Sequence, residues 1–319
     1  MKRILFLSLL LIFAGMLYDS VVPESPVPQP PQDETVGYDS EIIFTVKTDQ
    51  GIETVCMDSY LPGVLAGEMP ASFETQALMA QAVAARTYIL HRIENGSANH
   101  PDADICNNPA CCKAYVSTET MQKNWGDRYS AYYEKISAAA AHTDGQYLTY
   151  EGELIEAVFH ASSAGATEAS SSIWNARPYL VSVDSPETEA DVPNYISQVQ
   201  FSADLLKQQL LSAEPSLSFP PNPGTWLTEI SRNESGRVQS ATICGSTFSG
   251  AQLRSMLGLR STSFTADYEN GRFTFTVTGP GHGVGMSQNG ANVFAKQGLQ
   301  YEQILAHYYP NTQLTSAAG

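Results

Sequence analysis

The stretch LPGVLAGEMPASFETQALMAQAVAARTYIL, residues 61–90, contains two helical patterns that meet at a break. Leu61, Val64 and Leu65 recur at helical spacing and predict a short amphipathic helix ending at Glu68. Met69-Pro70 stops it, because proline pushes the residue before it out of helical angles. Ser72 is placed to cap a second helix, with Glu74 in its first turn, where the helix dipole favours an anion. Ala77, Leu78, Gln81, Ala82, Ala85 and Ile89 then run down an alanine-rich helix. Side chains this small let other elements approach the backbone closely, so the helix is expected at the centre of the fold. Glu68 stands at the kink. The ordinary reading of a carboxylate there is a cap on a neighbouring helix or a solvated surface group.

Composition narrows the classes. Hydrophobic content of 43% against 16% charged residues is that of a folded chain rather than a disordered one. A net charge of −16 argues against non-specific binding of nucleic acid or anionic lipid. An anionic polymer is also repelled at long range, so a glycan would be held by local hydrogen bonds and stacking. Five cysteines do not make an even disulfide framework, and three of them, Cys106, Cys111 and Cys112, lie close together.

Upstream of the quoted stretch, Lys2-Arg3 precede an apolar run from Ile4 to Tyr18. That is an export signal: a cleaved signal peptide or, as we expect, an uncleaved single-pass anchor with the rest of the chain outside the cytoplasm. Pro23–Pro31 is a proline-rich linker. The layout is therefore an anchor over 1–18, a linker over 19–40 and a folded domain over 41–319. Its first element is a hairpin, with Ile42, Phe44 and Val46 alternating before a turn into Ile52–Met57.

Downstream, His100–Cys112 (HPDADICNNPACC) has neither helical nor strand period. His100, Cys106 and Cys112 are zinc-type ligands, and a metal would order an irregular loop. A Cys106–Cys111 or Cys106–Cys112 disulfide is the competing reading in an exported domain. A helix through Ala131–Ala140 and a second hairpin, Tyr147–Tyr150 with Leu154–Phe159, lead into the small-residue loop His160–Thr167. A serine nucleophile with His160 as its base lacks a glycine-flanked elbow here. Residues 184–193 (DSPETEADVP) read as an exposed acidic loop, Phe201–Leu211 as a helix after Ser202, and 215–224 as a connection between lobes. Asn270-Gly271 marks a further hairpin. The loop GPGHGVGMSQNG, residues 279–290, lacks the spacing of a phosphate cradle and would instead present His282, Ser287 and Gln288 to a ligand. Two helices, Gly290–Gly298 and Tyr301–Tyr309, close the chain. The expected class is α+β: β-hairpins and a mixed sheet packed with the central alanine-rich helix, two lobes around a cleft, and an N-terminal membrane anchor.

The Glu68–Tyr88 segment and the Gly279–Ala291 loop together closely resemble the signature of the stage II sporulation protein D family, with similarity extending over roughly residues 40–310. Its members are lytic transglycosylases of cell-wall peptidoglycan. The resemblance implies that Glu68 is the catalytic acid/base, that Arg86 supports the site, and that Ser163 and Thr167 line a saccharide groove with His282, Ser287 and Gln288. It implies zinc at His100, Cys106 and Cys112 near the cleft, outside the chemistry itself. This chain departs from the family pattern at Met79, where lysine is common, at Ala166, where glycine is usual, and at Asn289, where tryptophan is common. The reaction so implied is cleavage of the β-1,4 bond after N-acetylmuramic acid, with attack by that sugar's own C6 hydroxyl giving a 1,6-anhydro end. A hydrolytic glycosidase needs a second carboxylate, and the sequence offers one well-placed carboxylate only. The implied setting is the space between mother cell and forespore during engulfment, beside an amidase that strips stem peptides. Two rivals stand against this reading: a zinc-dependent amidase using the His100/Cys106/Cys112 metal, and a non-catalytic, membrane-tethered glycan-binding scaffold.

Overall fold

Pro70 ends one helix and frees the chain to start the next at a new angle. The computed structural model describes residues 37–317; the expected anchor and most of the linker lie outside them. Among the described residues no helix is long and apolar enough to cross a membrane. The first helix runs Met57–Glu68, four residues longer than its apolar spacing predicts, because Met57 and Tyr60 are buried with it. Met69 takes the extended angles that a following proline requires, φ −126° and ψ 144°. Ser72 does not cap the second helix. Residues 70–73 close a turn (Phe73 N–H to Pro70 O, 3.0 Å), and the cap position falls on Glu74, whose N–H donates to Asn292 Oδ1 at 2.8 Å.

The alanine-rich helix runs Thr75–Asn95, and every residue from Ala77 to Ile89 is buried. It is surrounded by the helices Met57–Glu68, Tyr129–His142, Gln288–Lys296 and Tyr301–Tyr308 and by the strand Gln146–Tyr150. The first hairpin forms as expected, Ile43–Thr48 against Gly51–Cys56, and Ile105–Cys106 adds a parallel edge that makes its sheet mixed. The second hairpin is shorter than its pattern. Only Glu153–Leu154 return along Gln146–Tyr150, and Phe159–His160 pair instead, in parallel, with Met286–Ser287. The class is α+β, with small two- and three-stranded sheets.

A second hydrophobic core is built from one continuous piece, between Leu206 and Val277, while the first core resumes at Val284. Its central strand, Arg272–Thr278, pairs with Phe264–Glu269 through the Asn270-Gly271 turn, whose φ values of 51° and 78° suit those two residues. On its other side lies Ile196–Ser202, a strand that the sequence pattern did not reveal. Ser202 caps the helix that follows, as expected, accepting from Leu205 N–H.

Arg86 corrects one expectation. Its guanidinium is fully buried and clamps Asp39, with Nε–Oδ1 at 2.7 Å and Nη2–Oδ2 at 2.6 Å, and donates to the carbonyls of Gln146 and Ala140. It has no exposed surface to offer a substrate. Asp39 thereby belongs to the fold, so the folded domain begins before residue 41. Removing one member of a buried pair strands the other. Arg86→Met or Asp39→Asn is expected to cost about 3–5 kcal/mol in urea unfolding of the full chain, and the double variant less than the two losses added. Small, additive losses would show that the pair does not organise this end of the fold.

Candidate functional site

Glu68 ends its helix, where the helix dipole works against a negative charge. Two donors from distant segments compensate: Ala114 N–H to Oε1 at 3.0 Å and Gln288 Nε2–H to Oε2 at 3.3 Å. The first is possible because the Glu68 helix presents Gly63 and Gly67 on the side where residues 114–115 lie. A Cβ on Gly63 would fall 2.2 Å from the Tyr115 ring, and one on Gly67 would fall 3.0 Å from the Ala114 backbone. Val116 N–H then donates to Gly63 O at 3.0 Å.

The carboxylate faces a cavity of about 540 Å³, also lined by Lys113, Glu156, Trp174, Arg177, Arg254 and His282. Lys113 was not anticipated. Its Nζ sits 3.9 Å from the Tyr88 ring centre and 3.6 Å from that of Phe159. Burial lowers its pKa to about 8, opposed by the nearby Glu68 charge. A lone lysine after two cysteines carries no local signal of such a position. Glu156 lies between two arginines, 3.5 Å from Arg92 and 3.6 Å from Arg177.

Of the expected ligand-contacting residues, His282 reaches the cavity wall and Gln288 reaches Glu68. Ser163, Thr167 and Ser287 do not reach ligand space; all three are fully buried. Ser163 Oγ–H donates to His160 Nε2 at 2.8 Å, and His160 Nδ1–H donates to Val284 O at 3.1 Å. Ser163 is fully buried, so the pair braces the loop from behind the cavity wall, to which His160 itself contributes. Thr167 ties its own loop to residues 181–183. Ser287 bonds Glu187, which also accepts from Ser163 N–H at 2.6 Å and Ser185 Oγ at 2.6 Å. Glu187 is therefore a buried knot and not part of an exposed acidic loop.

His100, Cys106, Cys111 and Cys112 bring one ligand atom each to within 4.8 Å of one another, and the five cysteines are free thiols. Sulfurs about 2.3 Å from a tetrahedral zinc sit roughly 3.8 Å apart. Here Cys111 Sγ and Cys112 Sγ are 4.0 Å apart. His100 Nδ1–H donates to Ala103 O at 2.8 Å, which turns the unprotonated Nε2 toward Cys112 Sγ, 3.0 Å away. The donor set fits a closed, four-ligand zinc site, with Cys111 added to the three expected ligands.

His282 donates Nε2–H to Phe159 O and accepts from Val284 N–H at Nδ1. Burial pushes its pKa down to about 4, and that of His160 well below the ordinary value. Both are neutral at pH 7. Depressed histidine pKa values lend stability that is fully present above about pH 6.5 and lost as pH falls toward the folded-state value. For His282 the window runs from 6.5 to about 4 and is worth up to about 3 kcal/mol, less any screening by water in the cavity. Urea midpoints across that range should fall with a slope that His282→Gln reduces; an unchanged slope would contradict the assignment.

The chain also matches known proteins. A family model described as stage II sporulation protein covers residues 46–150, which hold Glu68, the alanine-rich helix and the His100–Cys112 loop. The chain is 36% identical over 272 residues to stage II sporulation protein D of Bacillus subtilis (strain 168), spanning 84% of this chain and 77% of that protein. The protein of that name from Bacillus amyloliquefaciens is also 36% identical, over 275 residues, with 85% and 77% spanned. The amidase enhancer of Bacillus subtilis (strain 168) is 29% identical over 315 residues, spanning 80% of this chain and 40% of that protein. Similarity of this extent to full-length relatives makes the chain a member of the stage II sporulation protein D family.

Proposed function

We propose that this chain is a peptidoglycan lytic transglycosylase that cuts the β-1,4 bond between N-acetylmuramic acid and N-acetylglucosamine. The observation that carries the reading is the Glu68 carboxylate, fixed through both oxygens and facing a cavity lined by residues of the first hydrophobic core and by Arg254, from the helix Gly250–Leu257 that packs in the second. The cavity is the cleft between two lobes, and the domain that carries it starts near residue 38. As general acid, Glu68 gives a proton to the glycosidic oxygen. As carboxylate it then takes the proton of the C6 hydroxyl, whose oxygen attacks C1 of the same sugar. The nucleophile belongs to the substrate, so one carboxylate is enough. Ala114 and Gln288 keep its two oxygens oriented through both steps.

His100, Cys106, Cys111 and Cys112 would hold zinc. Bound there, it would tie the loop whose continuation, Lys113-Ala114, lies against Glu68. The apolar segment 4–18 tethers the chain, with its catalytic domain outside the cytoplasm in the intermembrane space of the sporulating cell. Peptide-stripped glycan is the substrate, and a cell-wall amidase is the working partner, in keeping with the name of the relative called amidase enhancer.

A second reading rests on Glu156, which faces the same cavity. Two carboxylates would permit hydrolysis with water as nucleophile. The products distinguish the two. Incubation of the full chain with peptide-free glycan strands should give fragments ending in 1,6-anhydro-N-acetylmuramic acid by mass spectrometry. Glu68→Gln should lower the rate about 10²–10⁴-fold with the fold intact. Reducing-end sugars would replace the transglycosylase by a hydrolase, and binding without cleavage would leave a scaffold. Chelation of the metal, or Cys111→Ser, should lower the unfolding midpoint without changing which product forms. A change of product would assign the metal to the chemistry, whereas slower cleavage to the same product would mark the loss of its hold on the Ala114 backbone that positions Glu68.

A further inference from the structure

The cavity around Glu68 has a charge opposite to that of the chain. The whole protein carries −16, yet four cations, Arg92, Lys113, Arg177 and Arg254, line this space against two carboxylates, Glu68 and Glu156. Pairing uses up part of the excess. Arg92 and Arg177 share Glu156 through long contacts of 3.5 and 3.6 Å, while Lys113 lies over the Tyr88 and Phe159 rings. Arg177 keeps 43% of its side chain exposed. Arg254, from the helix Gly250–Leu257 of the second core, has no carboxylate within ion-pair distance among the described residues. Its one side-chain hydrogen bond there is long, Nε to Leu259 O at 3.4 Å. A half-buried guanidinium left this way gains from an anion that arrives with the ligand.

The same cavity carries an apolar platform. Trp174 is 49% exposed and tilts against His282 with ring centres 5.2 Å apart. An exposed indole suits the apolar face of a sugar ring. Cations beside such a platform suit a sugar that bears an acidic group.

We infer that Arg177 and Arg254 read the free lactyl carboxylate of a muramic acid unit whose ring lies on Trp174. The inference rests on the transglycosylase reading and adds the residues that choose the substrate. In a strand of alternating N-acetyl sugars, the lactyl ether is the acidic group. While a stem peptide is attached, it is a neutral amide. Cutting that amide creates the anion that the two guanidinium groups meet, so selection for stripped strands is built into the cavity as charge.

The test is a binding comparison with the full chain carrying Glu68→Gln, which leaves the strands uncut. Three ligands of equal length are titrated: peptide-free glycan, the same glycan with its carboxylates capped as methylamides, and a chito-oligosaccharide. The free acid should bind about 10-fold or more tightly than the capped strand, as for charge-assisted hydrogen bonds. Added to that background, Arg177→Met or Arg254→Met should bring the ratio close to one while the capped strand binds as before, and Arg254→Lys should keep part of the preference. Trp174→Ala should weaken all three ligands alike. Equal affinity for free and capped strands, parallel loss of both in the arginine variants, or no binding of any strand would overturn the inference. Product analysis with the unsubstituted protein separates the two readings. Selective binding with reducing-end products would sink the transglycosylase and leave the carboxylate reader, and anhydro products with indifferent binding would do the reverse.

Discussion

A helix whose side chains are buried without a break from Ala77 to Ile89 exists only if its neighbours surround it. Four helices and a strand do so here, and they can come close because most of what they meet is methyl groups. Larger side chains on this helix would overpack the interior. Two of the polar side chains inside it are satisfied on the spot, while the buried Gln81 amide has no partner among the described residues. Thr87 Oγ1–H donates to Val83 O at 2.7 Å and accepts Leu148 N–H at 3.0 Å, which fixes the strand Gln146–Tyr150 to the helix. Arg86 draws Asp39 inward, and Asp144 accepts the N–H groups of Tyr38 and Asp39 at 2.8 and 2.9 Å. The start of the fold is thus anchored in its core.

The position of Glu68 follows from that packing. Its helix leans on the central one, stops at Met69 because Pro70 follows, and exposes a glycine pair on the side facing residues 114–115. The segment lying there ends the loop of the His100/Cys106/Cys111/Cys112 cluster. The thiol cluster and the carboxylate are therefore mechanically joined: two residues beyond Cys112, Ala114 holds Glu68 Oε1. A metal bound to the cluster would act on Glu68 through this backbone.

Local chemistry made much of this legible in the sequence. Asn270-Gly271 signalled its hairpin because both residues tolerate positive φ, Met69-Pro70 signalled a break, and small-residue spacing signalled a central helix. Glu68 stood out because it ends one pattern at that break. What stayed hidden depends on partners far away along the chain. Glu187 looked solvated beside Glu189 and Asp191, yet its donors come from Ser163 and Ser287, and no local pattern announces them. Lys113 is buried because Tyr88 and Phe159 close on it. Arg86, Ser163, Thr167 and Ser287 were placed in ligand space by resemblance, whereas the packing puts them behind the wall. The edge strand Gln313–Ser316 was missed because it pairs with Gln146–Tyr150 and has no apolar alternation of its own.

Net charge and cavity charge act over different distances. A charge of −16 implies long-range repulsion of an anionic polymer. At physiological salt, however, exposed charges lose most of their reach beyond about 8 Å. A strand that reaches the mouth of the cavity is governed by the groups inside it, where water is partly excluded and each charge counts for more. There the balance is four cations to two carboxylates. The acidic exterior slows encounter with anionic polymers in general, and the cationic interior rewards those whose charge fits the space. Rejecting poor ligands outside and holding the right one inside are compatible, because the two fields act over different distances.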